Sequence, residues 1–112
     1  MSRALHVAKT YKVEWESTEA FNRQSYEFRR LLNELGVGVS SMSAEDDDYL
    51  DFEVTKEDWQ HAINTLSRPT LTQGVKAMLT ILGYTQEQAV EIFKRCLDTA
   101  EPEEEWMHFS FF

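Results

Sequence analysis

The stretch Trp106-Met107-His108-Phe109-Ser110-Phe111-Phe112 decides how the rest of the chain must be arranged. In a strand, successive side chains point to opposite faces, so Trp106 and Phe112 would share one face and Met107 and Phe109 the other. Apolar character on both faces predicts a central or covered strand, or an edge strand that pairs with another copy. Because four large aromatics left in water would form a costly exposed patch, packing within the parent domain is the default expectation.

The same stretch has a second interpretation. It follows the acidic run Glu103-Glu104-Glu105. Acidic residues followed by terminal aromatics could form a linear peptide that docks in a basic, hydrophobic groove on another protein.

The N-terminal part predicts one strand and one helix. Five apolar residues of one parity predict a strand: Leu5, Val7, Tyr11, Val13 and Trp15. Lys9 interrupts this parity, at either a bend or a frayed end. Ser17 or Thr18 offers an N-cap, and an apolar stripe then predicts a helix over roughly 18–35, ending before Gly36.

The middle of the chain predicts a β-hairpin followed by three helices. Residues 37–42 predict a strand weakened by its glycine, and the acidic loop 44–48 follows. Leu50, Phe52 and Val54 then alternate with Asp51 and Glu53, which predicts a further strand with one solvated face. Thr55, with Asp58, starts a helix that contains Trp59. Two further helices each begin with a capping-box pair, as follows: Thr70 with Gln73, and Thr85 with Gln88.

The element order is therefore β-α-β-β-α-α-α-β, in one domain over residues 1–112. We predict an α+β fold, an antiparallel sheet with helices on one face. Its core would be a ferredoxin-like split β-α-β unit (β-α-β-β-α) with an added helical hairpin and a C-terminal strand.

The charge of the chain is segregated. Residues 1–40 carry six basic and five acidic side chains, whereas residues 41–112 carry five basic and fifteen acidic, for a net charge of −9. Such a surface repels nucleic-acid phosphates and anionic lipid, and it attracts cationic partners. We expect a soluble, cytoplasmic protein, since the one cysteine cannot form an internal disulfide and no apolar stretch reaches membrane-spanning length.

No motif for catalysis, a cofactor or a metal is present, and an enzyme is not expected. Cys96 lies on an apolar helical stripe, where a thiol usually behaves as a small hydrophobe. His6, His61 and His108 lie in separate elements, although His6 and His108 would become neighbours if both strands join the sheet. The consecutive acids Asp46, Asp47 and Asp48 lack the alternation and glycine of a calcium loop. They form a solvated hairpin tip, a partner-facing patch or a weak cation site.

The run from Met78 to Ala89, with Leu82-Gly83-Tyr84-Thr85 at its centre, resembles the first helix, loop and second-helix start of ubiquitin-associated domains. Leu82 replaces the methionine of that family's loop, and the family's third helix is missing. The resemblance implies that Leu82, Gly83 and Tyr84 contact a partner protein.

These observations favour a non-catalytic, acidic protein-interaction module that binds a basic partner, as inhibitors, immunity proteins and antitoxins do. A small-molecule-binding regulatory domain with a ferredoxin-like sheet is the alternative. The sequence leaves open a homo-oligomer formed through an edge strand. The predicted partner-binding residues are Asp46, Asp47, Asp48, Tyr84, Glu103, Glu104, Glu105 and Trp106.

Overall fold

The computed structural model describes residues 4–10, 14–41 and 51–112 of the chain. This part is an α+β fold with four helices and an antiparallel sheet, which confirms the predicted class. Its elements follow in this order: β1 (Leu5–Thr10), β2 (Glu14–Ser17), α1 (Ser25–Glu34), β3 (Ser40–Ser41), β4 (Asp51–Thr55), α2 (Lys56–Leu66), α3 (Gln73–Leu82), α4 (Gln86–Thr99) and β5 (Trp106–Phe111).

The C-terminal strand β5 lies at the centre of the sheet. The strand order is β2-β1-β5-β4-β3, and β5 pairs antiparallel with both β1 and β4. This confirms that the aromatic stretch packs within its own domain as a central strand. The strand order does not confirm the ferredoxin-like topology. In the described ranges the sheet edges are β2 and β3, so a homo-oligomer formed through an edge strand would use one of these.

The predicted N-terminal strand is confirmed over Leu5–Thr10 but does not continue to Trp15, which belongs to the second strand β2. β1 pairs antiparallel with β2, and the register shifts between Ala8 and Thr10, next to the Lys9 that interrupts the sequence pattern. Since His6 pairs with Ser17 and Ala8 with Trp15, Trp15 lies on the face opposite to Leu5. After a chain reversal, the side chains of the next strand need not keep the alternation of the strand before it. A single alternating pattern in the sequence does not reveal such a change of face.

Helix α1 begins at Ser25, seven residues after the predicted Thr18. Instead of capping a helix, the Thr18 hydroxyl donates to the Leu5 carbonyl at 2.8 Å. The backbone φ angles of Glu19, Phe21 and Arg23 are 57°, 58° and 60°, which no right-handed helix allows. The C-terminal prediction is confirmed, because Gly36 has a φ of 77° immediately after the helix.

The remaining helix starts are mostly as predicted. The Thr55 hydroxyl accepts from the Asp58 backbone N–H at the start of α2, and Thr85 and Gln88 form a complete capping box at the start of α4. Thr70 is the exception. The N-cap of α3 is Thr72, whose hydroxyl accepts from the Val75 N–H at 3.2 Å.

The core is a stack of aromatic rings between the sheet and the helices. The Phe109 ring of β5 lies 5.0 Å from the Phe52 ring and 4.7 Å from the Trp59 ring. The Trp59 ring stacks on Phe93 at 4.4 Å, and its indole N–H donates to the Phe93 carbonyl at 2.9 Å. Phe28 of α1 completes the layer. All four helices join one buried cluster with this face of the sheet, which we call the helix side.

Candidate interaction face

The opposite face of the sheet has no helical layer in the part of the chain that the structure describes. We call it the outer face. Cross-strand pairing aligns its residues in rows, because directly paired residues share a face. His6, Ser110 and Asp51 form one row across β1, β5 and β4, and His108 and Glu53 start the next.

Two polar pairs join β5 to β4 on the outer face. The Ser110 hydroxyl donates to Asp51 Oδ1. His108 Nδ1 lies 3.2 Å from Glu53 Oε2, with the side chains 10% and 28% exposed. These partners explain how β5 can bury polar side chains at the centre of the sheet. They also direct two carboxylates toward the middle of the face.

An aromatic group lies at the β1–β2 side of the outer face. The His6 and Phe112 rings stack with their centroids 3.7 Å apart, and Phe112 meets the Trp15 ring edge-on at 6.0 Å. Phe112 is 53% exposed and Trp15 is half-buried. Partly exposed aromatic rings are enriched at protein interfaces, because they bury a large area at little entropic cost.

The C-terminal acids lie at one end of β4 and β5. The Lys56 backbone N–H donates to the Glu105 carbonyl at 2.9 Å, which places the start of α2 beside this segment. Glu103, Glu104 and Glu105 are exposed and lie near the start of α2, where the residue after Lys56, Glu57, is also exposed. We define the acidic corner as Glu57, Glu101, Glu103, Glu104 and Glu105.

Lys56, at the start of α2 beside the acidic corner, is bound to backbone carbonyls. The Lys56 ammonium donates to the backbone carbonyls of Glu101 and Pro102, at 2.6 Å and 3.2 Å. Among the described residues, no lysine or arginine lies within ion-pair distance of the five corner carboxylates. Their negative field is therefore directed to solvent. Trp106, half-buried and paired with Thr55, connects the corner to the outer face.

The outer face does not assemble an obvious catalytic or metal site. His6 lies beside Ser110, but its Nδ1 is 3.0 Å from the Ala4 carbonyl, and the Ser110 proton goes to Asp51. In a serine nucleophile the histidine accepts that proton. His6 and His108 lie on adjacent strands of one face, as expected if both join the sheet, and each contacts a different partner. Within the described ranges, no group of three or more His, Cys, Asp or Glu side chains could hold a metal ion.

Tyr84 lies far from the acidic corner. It precedes the fourteen-residue helix α4 and the corner follows it, so a helix length of about 20 Å, at about 1.5 Å per residue, separates the two. The Tyr84 hydroxyl oxygen accepts from the Phe21 N–H at 3.0 Å, and the two rings are 4.8 Å apart. Leu82 is buried. The loop that resembles a ubiquitin-associated domain thus packs within this fold.

Cys96 is buried on α4, and burial raises the pKa of its thiol from 9.0 to about 12. A thiol with that pKa is protonated at neutral pH and is a poor nucleophile. The geometry agrees with a structural role for this residue.

The structure brings together three of the predicted acids and Trp106, and it adds residues that the sequence did not nominate. Asp46, Asp47 and Asp48 lie outside the described residues. The additions are His6, Trp15, Asp51, Glu53, Glu57, Glu101 and Phe112. The alternation of Asp51 and Glu53 did indicate one solvated face of β4. Nothing local indicated that the aromatic residues Trp15 and Phe112 would share it.

Comparison with known proteins found no matching family model, no similar curated protein and no similar solved structure. The site must therefore be interpreted from its own residues. No helix in the described ranges combines the length and apolar character needed to cross a bilayer.

Proposed function

We propose that this chain is an acidic protein-interaction module whose outer face and acidic corner engage a basic surface on a partner protein. The observation that carries the proposal is the acidic corner. In the described part of the chain its five carboxylates have no lysine or arginine within ion-pair distance, and the Lys56 ammonium binds backbone carbonyls instead. The corner adjoins a sheet face with partly exposed aromatic rings.

The two parts of this surface would contribute differently to binding. Exposed carboxylates accelerate encounter with a cationic partner but add little affinity each. Aromatic side chains often supply most of the binding energy of an interface, and Trp15, Trp106 and Phe112 are partly exposed aromatic residues of the outer face. The carboxylates of Asp51 and Glu53 lie between them and could orient a lysine or arginine of the partner.

Affinity capture from native lysate, at low and high salt, tests this proposal. The bait is the wild-type chain, compared with Glu103→Gln/Glu104→Gln/Glu105→Gln and with Trp15→Ala. The matched control is Glu34→Gln/Glu87→Gln/Glu91→Gln, which removes three carboxylates from the helices and leaves the outer face unchanged. Asp46→Asn/Asp47→Asn/Asp48→Asn tests the second acidic cluster in the same way.

We expect a captured partner to associate more slowly with the corner variant and to show a smaller dependence on ionic strength. Trp15→Ala should mainly accelerate dissociation, because rim charges act on association and buried anchors on dissociation. The helix control should retain wild-type binding. Equal binding by all five proteins would mean that the acidity serves only solubility, and the proposal would then be abandoned.

A further inference from the structure

A basic pocket lies in the described part of this acidic molecule. A cavity of about 400 Å³ lies between α1 and the extended segment that leads into β3. Its polar walls are Tyr26, Arg29, Arg30 and Asn33 on α1. Its size lies within the range of about 300–1,000 Å³ that is typical of small-molecule sites. This pocket is separate from the acidic corner and does not depend on the proposed function.

The two guanidinium groups are held against aromatic rings. Arg29 lies over the Phe52 ring at 5.5 Å from its centroid, and Arg30 lies over the Tyr26 ring at 6.0 Å. Such cation–π contacts restrict long side chains that would otherwise sample many rotamers. Because less entropy is lost when a ligand binds to a restricted side chain, the pocket is partly preorganised.

The side chains on the α1 wall favour an anion, whereas on the other side Asp58 Oδ2 lies 3.7 Å from the position of a Gly38 Cβ. Within the described residues, no carboxylate lies within ion-pair distance of the Arg30 guanidinium. Asn33 is one turn further along α1, so its amide can donate beside the arginines. Guanidinium groups bind carboxylate and phosphate oxygens in bidentate geometry. The head group that fits these donors is therefore an oxyanion.

The opposite wall is largely apolar. It consists of Val37, Gly38 and Val39, of which Val37 is buried and Val39 is half-buried. The Tyr26 ring, 56% exposed, adds a flat surface. We propose that this pocket binds a small organic anion, with a carboxylate or phosphate head group at Arg30 and Asn33 and an apolar or aromatic body beside Val39. The proposal gives the small-molecule-binding alternative a specific location.

Four probes test the proposal by NMR titration of the full chain at constant ionic strength. They are phenylacetate, phenyl phosphate, inorganic phosphate and the neutral analogue phenylacetamide. The reporters are the backbone amides of Gly38 and Val39, with the Arg30 side-chain N–H. Arg30→Gln removes one guanidinium, and Asn33→Asp places a carboxylate in the pocket. The matched control is Arg68→Gln, which removes the same charge from an exposed site elsewhere.

We expect saturable, localised shifts with phenylacetate, phenyl phosphate or both, and none with phenylacetamide. Saturation by only one aromatic probe identifies the head group as carboxylate or phosphate, and weaker binding of inorganic phosphate shows that the apolar wall contributes. Arg30→Gln should weaken binding about tenfold, as for the loss of one charge-assisted hydrogen bond, and Asn33→Asp should weaken it further. Arg68→Gln should change it less than about twofold.

Three results would overturn the proposal: no saturable shift with either aromatic anion, shifts scattered over the whole surface, or equal effects of Arg30→Gln and Arg68→Gln. Arg30 is exposed, so its replacement should leave the fold intact, and the spectrum of the variant reports this directly.

Discussion

Phe28 shows how one side chain connects the elements of this fold. It is fully buried, and its ring lies within 6.0 Å of the rings of Phe52, Phe93 and Phe111, and 4.6 Å from that of Phe21. A single residue of α1 therefore contacts two strands, another helix and the loop before its own helix. Because every neighbour is itself fixed, the site cannot collapse easily if the ring is removed.

Phe28→Ala should lower the free energy of unfolding by about 3–5 kcal/mol, from lost transfer energy and the cavity that remains. Chemical denaturation measures this value. The control is Ile81→Ala on α3, whose side chain is 61% exposed and whose loss should cost less than about 1 kcal/mol. A loss below about 1 kcal/mol for Phe28→Ala would place this residue outside the core and contradict the architecture.

Cys96 should react slowly with thiol reagents in the folded protein at neutral pH. The thiol is 1% exposed and burial raises its pKa to about 12, so both access and thiolate fraction are small. Modification followed by absorbance should proceed only as fast as the chain unfolds. Rapid modification without loss of structure would restore Cys96 as a candidate nucleophile.

The same thiol should make stability depend on alkaline pH. Because the pKa is raised to about 12 in the folded state, the unfolded chain releases this proton first as the pH increases. The free energy of unfolding should therefore fall between about pH 9 and pH 12, and Cys96→Ala should remove that part of the slope. Urea denaturation of both proteins at about pH 8, 9 and 10 measures the difference. Parallel curves would show that Cys96 is not coupled to folding.

At the level of elements, caps and edges set where helices and strands end. Leu31 of α1 packs into the core beside Phe28, while Gly36 ends the helix with a positive φ. After α1, the Val37 N–H donates to the Leu32 carbonyl and the Gly36 N–H to the Asn33 carbonyl, the two hydrogen bonds of a Schellman motif. These contacts direct the chain out of α1 toward the edge strand β3.

The N-cap of α3 provides a test of element boundaries. Thr72→Ala should destabilise the protein by about 1 kcal/mol, because the Val75 N–H loses its acceptor at 3.2 Å. Thr70→Ala should stay within about 0.5 kcal/mol, since Thr70 is exposed and precedes the cap by two residues. Thermal denaturation of the two variants decides between these positions. A larger effect at Thr70 would restore the N-cap that the sequence pattern predicted.

For the whole molecule, the segregated charge becomes a spatial arrangement. The acidic corner lies beside the outer face, whereas Arg29 and Arg30 line a pocket at α1. A net charge of −9 on 112 residues keeps such a protein soluble, but it also adds self-repulsion to the folded state. The repulsion should be greatest where carboxylates are consecutive and lack a cationic partner.

Neutralising Glu103, Glu104 and Glu105 to Gln should therefore raise the free energy of unfolding at low salt. The rise should be within about 0.5 kcal/mol per site and should shrink as ionic strength increases, because salt screens exposed charges. Chemical denaturation at two salt concentrations measures it. A fall in stability at low salt would mean that these side chains make a folded-state interaction, and the corner could not then be treated as a solvent-facing field.

Local patterns in the sequence determined the class of this fold and most of its elements. The alternation in β4, the aromatic stretch of β5, the Thr85–Gln88 capping box and Gly36 are all short-range signals, which act within a few residues and can be read from them. They correctly placed the aromatic stretch 106–112 in the sheet. The alternation of Asp51 and Glu53 with apolar residues also indicated that β4 has one solvated face, and this is the outer face.

The tertiary structure alone decided the chain reversal after β1, the late start of α1 and the composition of the outer face. The chain reversal and the late helix start depend on hydrogen bonds between residues far apart in the chain, such as that from the Thr18 hydroxyl to the Leu5 carbonyl. These hydrogen bonds compete with helix capping and have no local sequence signature. Trp15 and Phe112 meet only because β1 pairs with both β2 and β5. Contacts between residues far apart in the chain follow from strand order and register, and neither is contained in the pattern of any one strand.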